Sequence, residues 1–113
     1  MVERQIFWIG SAYDDLLAFP VEARRQAGFQ LGKIQAGLDP GDWKSFDVIG
    51  AGACEIRLHE ASGTFRVIYV AKFEEAVYVL HCFQKKTRAT SLRDRHIAET
   101  RYRSVVNARK NQP

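Results

Sequence analysis

The sequence predicts an α+β domain: a small antiparallel sheet carrying an N-terminal helical hairpin and a C-terminal helix, in the order β-α-α-β-β-β-α. Three observations predict it. Residues 54–84 hold three β-rich runs joined by links of a few residues, the pattern of an antiparallel meander. Ala27, Leu31, Ile34 and Leu38 repeat at helical 4-3-4 spacing. Ser91 and Asp94 stand three apart at the head of a basic C-terminal segment, the spacing that caps a helix start.

The first strand is QIFWI (5–9), short, β-branched and aromatic, stopped by Gly10. Ser11 with Asp14 has capping-box-like spacing and opens a short helix, SAYDDLLAF, ended by Pro20. Pro20 suits the first turn of a second helix, where its missing N–H would be unpaired anyway. In that helix Gly28 and Gly32 imitate a GxxxG pair and are expected to mark close packing. Residues 37–52 are loop-like, with four glycines and a proline. Trp43 and Phe46 are expected to fold back as anchors there, and SFDVI is a candidate short strand.

CEIRLHE (54–60) alternates apolar Ile56 and Leu58 with Arg57 and His59. TFRVIYVAKF (64–73) carries Arg66 as its one charge before Lys72, and AVYVLHCFQ (76–84) is nearly all apolar, as for a strand covered on both faces. In the last helix Ala98, Tyr102, Val105 and Val106 share one side, while Arg93, His96, Thr100, Arg103 and Asn107 occupy the other.

A length of 113 residues fits one domain over 1–113. Apolar runs fall far short of the roughly 20 residues a membrane helix needs. MVERQIFWIGS lacks the features of a signal peptide. Cys54 and Cys82 have no metal-ligand spacing, so a reduced cytoplasmic setting is expected, with no metal and no cofactor. The net charge of +4 is unevenly spread: residues 81–113 carry 9 Lys/Arg against 2 Asp/Glu, while residues 1–80 carry 8 against 11. Such asymmetry points to a polyanion or an acidic partner surface.

Lys85, Lys86 and Arg88 crowd the exit of the third meander strand. Strand alternation groups Glu55, Arg57 and His59 on one face, and cross-strand pairing would bring Arg66 to the same surface. Together these cations suit phosphate: arginine offers a planar fork, and lysine a compact charge whose pKa falls beside other cations. A lysine so placed can act as a base near neutral pH. The competing reading satisfies the two arginines with Glu55 and Glu60. His59 is a second acid/base candidate. His81 reads as a core histidine and His96 as solvated. If Arg57 and Arg66 face substrate, alanine at either is expected to leave folding largely intact.

The run GAGACEIRLHEASGTFRVIYVAKFEEAVYVLHCFQKKT, with the helical AETRY and the Asp42-Trp43-Lys44 loop, resembles the HigB-type, phage-derived toxins of the RelE/ParE superfamily across roughly residues 3–107. The resemblance implies a RelE/ParE-like toxin of a bacterial type II toxin–antitoxin pair that acts as a metal-independent endoribonuclease on mRNA, commonly on the ribosome. It implies a cognate antitoxin, often with a helix-turn-helix domain, that masks the active surface. By position it carries over Arg57, Arg66, Lys85 and Lys86 as basic site residues, with His59 beside them as an option. Arg88, Arg93 and Arg103 are the expected RNA-binding cations. A ParE-type inhibitor of DNA gyrase and a non-catalytic nucleic-acid-binding module are the alternatives.

Overall fold

The apolar run that ends in Lys85 is an inner strand of the sheet. A computed structural model of the chain describes residues 3–111, and in it the elements follow as β1 (Gln5–Trp8), α1 (Ala12–Leu17), α2 (Val21–Gln35), β2 (Trp43–Ser45), β3 (Ala53–Glu60), β4 (Gly63–Val70), β5 (Ala76–Lys85) and α3 (Leu92–Lys110). The five strands lie in the order β1-β5-β4-β3-β2. β2 to β5 pair antiparallel, as the meander predicted. β1 pairs parallel with β5, Gln5 opposite Ala76 through Trp8 opposite Val79, so the sheet is mixed. Parallel neighbours need a long crossover, and here the helical hairpin begins it.

Both faces of β5 are covered. On one side Ala12, Leu16, Ala23, Ala27 and Leu31 pack on Ile56, Leu58, Val67, Val77 and Val79. On the other, Ala98 and Val105 of α3 pack with Ile68, Val70, Ala76, Tyr78 and Leu80. The main sheet partner of α3 is β5, and the outer strands on its side are left open to solvent at their far ends. Tyr102 anchors the helix by donating to the Ala51 carbonyl at 2.7 Å. Its ring passes so close to Gly50 that a Cβ there would stand 2.3 Å from it. No described helix is long and apolar enough to cross a membrane.

Several local expectations are corrected. Ser91 does cap α3, accepting from the Asp94 amide at 3.1 Å. Ser11 makes no such cap: its hydroxyl donates to Asp15 and accepts from Arg101, which ties α1 to α3. Pro20 sits at the N-cap of α2, one position before the first turn. Leu38 lies beyond the helix and is exposed, because α2 ends at Gln35 and the apolar stripe stops with Ile34. Gly28 and Gly32 pack against nothing: a Cβ added at either would meet no atom within 4 Å. The short strand of the loop is Trp43–Ser45 rather than SFDVI, and it leaves Trp43 exposed while Phe46 packs against the α3-side core.

Near its C-terminal end α3 is clamped to the β4–β5 link. Arg109 donates to Glu75 through Nε at 2.6 Å and Nη2 at 3.1 Å. That hydrogen bond holds the Glu75 carboxyl at about 2, below its ordinary 4.5. A depressed carboxyl contributes stability that is complete above its unfolded value and lost as pH falls through the folded one. Urea unfolding followed by circular dichroism is therefore expected to weaken from about pH 4.5 toward pH 2, and Arg109→Gln to flatten this part of the acid limb. An unchanged acid limb in the variant would show that the clamp contributes nothing.

Candidate functional site

The β3–β4 hairpin sets the geometry. Glu60 pairs with Gly63 across a two-residue turn, Ala61-Ser62, and Gly63 adopts φ +144°, a conformation that favours glycine. Counting back from that turn puts Arg57 directly opposite Arg66 and His59 opposite Thr64. On β5, Thr64 then faces Lys85 and Arg66 faces Phe83. Two adjacent rows result on the α3 side of the sheet: His59–Thr64–Lys85 and Arg57–Arg66–Phe83. A third row adds Lys44, Glu55, Ile68 and His81. Neighbouring strands lie about 4.8 Å apart, so these side chains share one small surface.

Within that surface the two arginines differ sharply. Arg66 is 3% exposed and its Nη1 lies 2.6 Å from Oε1 of Glu55, itself 0% exposed. Thr90 joins them, accepting from Arg66 at 3.4 Å and donating to Glu55 Oε2 at 3.5 Å. Arg66 Nε has no hydrogen-bond partner among the described residues. The expectation of a substrate-facing Arg66 that folds normally when truncated is therefore corrected: this guanidinium is a buried half of an ion pair.

Arg57 is half-buried and meets Asp42 rather than Glu60, with Nη2 at 2.9 Å and Nε at 3.1 Å from Oδ1. The Arg57 amide also donates to the Asp42 carbonyl at 2.8 Å. His59, largely exposed, shares the same carboxylate, Nε2 to Oδ2 at 3.0 Å, and its Nδ1 lies 3.3 Å from Thr64 Oγ1. Desolvation works against ionisation of Asp42, but the bond from His59 and the charge of Arg57 outweigh it and hold the carboxyl below its usual range. Glu60 instead accepts from Ser62 in the turn.

Lys85 carries no ion pair among the described residues. Desolvation and the Arg66 charge push its pKa below the ordinary lysine value, with Lys44 and Arg57 adding to the shift and Glu55 opposing it. Lys86 and Arg88 follow on the exposed link to α3. A cleft of about 480 Å³ opens there, lined by Phe83, Lys85, Lys86, Ser91, Arg93 and Asp94. Arg93 thus belongs to the same region as Lys85. Arg103 does not: it sits ten residues further along α3, about 15 Å along the axis, and hydrogen-bonds Thr100. His81 is buried, as a core histidine should be, with Nε2 2.7 Å from Asp94 and its ring stacked on Phe83. Burial pushes its pKa down against the pull of Asp94.

Asp42, Lys44 and Thr90 are the participants that motif reading did not single out as site residues. Lys44 lies opposite Glu55 on β2, with Nζ 3.8 Å from Oε1. Among the described residues, no three His, Cys, Asp or Glu gather where they could hold a metal ion.

No curated protein matches the chain. The family described as "Phage derived protein Gp49-like (DUF891)" matches residues 14–103. That match spans most of the sequence, from α1 to the last third of α3, and includes all of β2–β5. The chain belongs to the phage-derived Gp49-like family, within the RelE/ParE-like toxin group.

Proposed function

We propose that the protein is the HigB-type toxin of a type II toxin–antitoxin pair, an endoribonuclease that cuts mRNA in the ribosomal A site by acid–base chemistry on its own side chains. The observation that carries this reading is the open row of Lys85 beside Arg57 and Arg66, with a lysine whose proton affinity desolvation and the Arg66 charge lower.

Lys85 takes the proton of the RNA 2′-OH, and Lys86 is the other lysine at the same exit. The 2′ oxygen bonds to the adjacent phosphorus, the bond from phosphorus to the 5′ oxygen of the next nucleotide breaks, and a 2′,3′-cyclic phosphate remains. Charge grows on the non-bridging oxygens, where a fixed cation stabilises the transition state more than the ester. Exposure gives that role to Arg57, half-buried and singly held, rather than to Arg66. Arg66 is then a positioning residue that keeps the Glu55 charge beneath the cluster. His59, set by Asp42 and Thr64, returns a proton to the departing 5′ oxygen. Arg88 and Arg93 hold flanking phosphates, and the partner antitoxin neutralises the toxin.

In a purified translation system, addition of the protein is expected to cut the translated message. A 2′-deoxy nucleotide on the 5′ side of the scissile bond should abolish the cut, since the nucleophile is then missing. DNA breakage by gyrase with intact message would select the ParE-type alternative, and RNA binding without any cleaved product would select a binding module.

A further inference from the structure

Across the sheet from Arg57 and Lys85, α1, α2 and β1 enclose an apolar groove of about 510 Å³, lined among others by Ile6, Trp8, Tyr13, Leu17, Val21 and Gly28. Tyr13, Leu17 and Val21 remain 47%, 45% and 62% exposed.

Two further features mark this groove as unfinished. Gly28 lines the groove and Gly32 follows it one helical turn along α2, each with open space where a side chain would go and neither with a positive φ. A glycine inside a helix costs about 1 kcal/mol against alanine, and no contact among the described residues offsets it. Glycines at this spacing do let a second helix come close. Arg24 also lines the groove; its Nε is buried without a hydrogen-bond partner, and it has no ion pair among the described residues.

We propose that this groove seats an amphipathic helix of the partner antitoxin, with small or aliphatic side chains over Gly28 and Gly32 and a carboxylate on Arg24. The proposal rests on the toxin reading for the partner's identity, not for the groove. Charge selects the occupant. Arg24 and Arg25 both line the groove, and Glu22, 3.5 Å from Arg25, pairs with only one of them. A second copy of this chain, docked groove to groove by two-fold symmetry, would gather both copies' arginines into one interface. An acidic helix meets them with opposite charge.

The test co-expresses the full chain with the product of the adjoining reading frame and measures affinity by calorimetry. Gly28→Leu/Gly32→Leu and Arg24→Glu are each expected to weaken binding about a hundredfold or more, while Arg57→Ala, across the sheet, binds as wild type. The double glycine variant should melt at or above the wild-type temperature, since its new side chains enter open space and remove two helix-weakening glycines. Wild-type affinity in both groove variants overturns the proposal, as does loss of binding in Arg57→Ala or no binding by the wild type. A free chain that is dimeric by light scattering, and monomeric as Gly28→Leu/Gly32→Leu, would assign the groove to a second copy and overturn it too. Failure of the toxin reading is seen separately, as intact messages and normal growth when the chain is expressed alone.

Discussion

Arg66→Ala is expected to lower folding stability by about 3–5 kcal/mol, because it leaves the Glu55 carboxylate buried with its closest cation gone. In a domain whose total stability is about 5–15 kcal/mol, that is a drop of roughly 10–20 °C in melting temperature. Lys44 at 3.8 Å and Thr90 at 3.5 Å hold the carboxylate more loosely than Arg66 does at 2.6 Å. Replacing both partners by apolar residues of similar volume, Glu55→Leu with Arg66→Met, should recover most of the loss, since no charge is then left in the interior. Arg57→Ala is a contrast: its partner Asp42 is exposed, and such pairs contribute about 0–1 kcal/mol. Thermal melts of the three variants beside the wild type decide it. An Arg66→Ala protein melting within two or three degrees of wild type, about the change expected of a surface pair, would mean the pair is not structural. The expected result also governs how activity is read. A loss of RNA cleavage in Arg66→Ala is interpretable only beside a melt, whereas the same loss in Arg57→Ala speaks directly of the site.

What the sequence made legible follows from distance along the chain. Strands β3 to β5 were readable because each is bounded by a short turn, and the α3 cap because Ser91 and Asp94 are neighbours. Even the facing of Arg57 and Arg66 was within reach: once Glu60 and Gly63 are taken as the ends of a two-residue turn, the register follows by counting. The parallel pairing of β1 was not, since Gln5 meets a residue 71 positions away and no local pattern encodes that choice. Asp42 escaped for the same reason. Its carboxylate reaches Arg57 and His59 only after β2 has docked on the sheet edge, and β2 is three residues long. Glu55 was seen on the face of Arg57, yet its true partner is Arg66, diagonally across the hairpin. The bulge at Ile68/Tyr69 is a further irregularity without a glycine or proline to announce it. Burial, too, is not written in a single residue. Arg66 is buried, and among its contacts is Thr90, which lies in the link beyond β5.

Lys85→Ala is expected to reduce message cleavage by about 10²–10⁴-fold, the usual contribution of a general base, with little change in melting temperature because the ammonium has no ion pair among the described residues. Lys85→Arg separates base from charge. A guanidinium keeps the cation but does not release its proton, so the arginine variant should be nearly as impaired as the alanine one. The pH dependence follows from the causes of the pKa shift. A base must be neutral to act, so the single-turnover rate rises with pH toward the pKa of Lys85, which desolvation and Arg66 set below the ordinary lysine value. Lys44 contributes in the same direction. Removing its charge in Lys44→Gln should therefore raise the pKa of Lys85, move the rising limb to higher pH and slow cleavage at pH 7, while the rate on the alkaline plateau stays near that of wild type. If Lys85→Arg cleaves at the wild-type rate, or the limb stays in place in Lys44→Gln, Lys85 serves as a phosphate-binding charge and the base is another group.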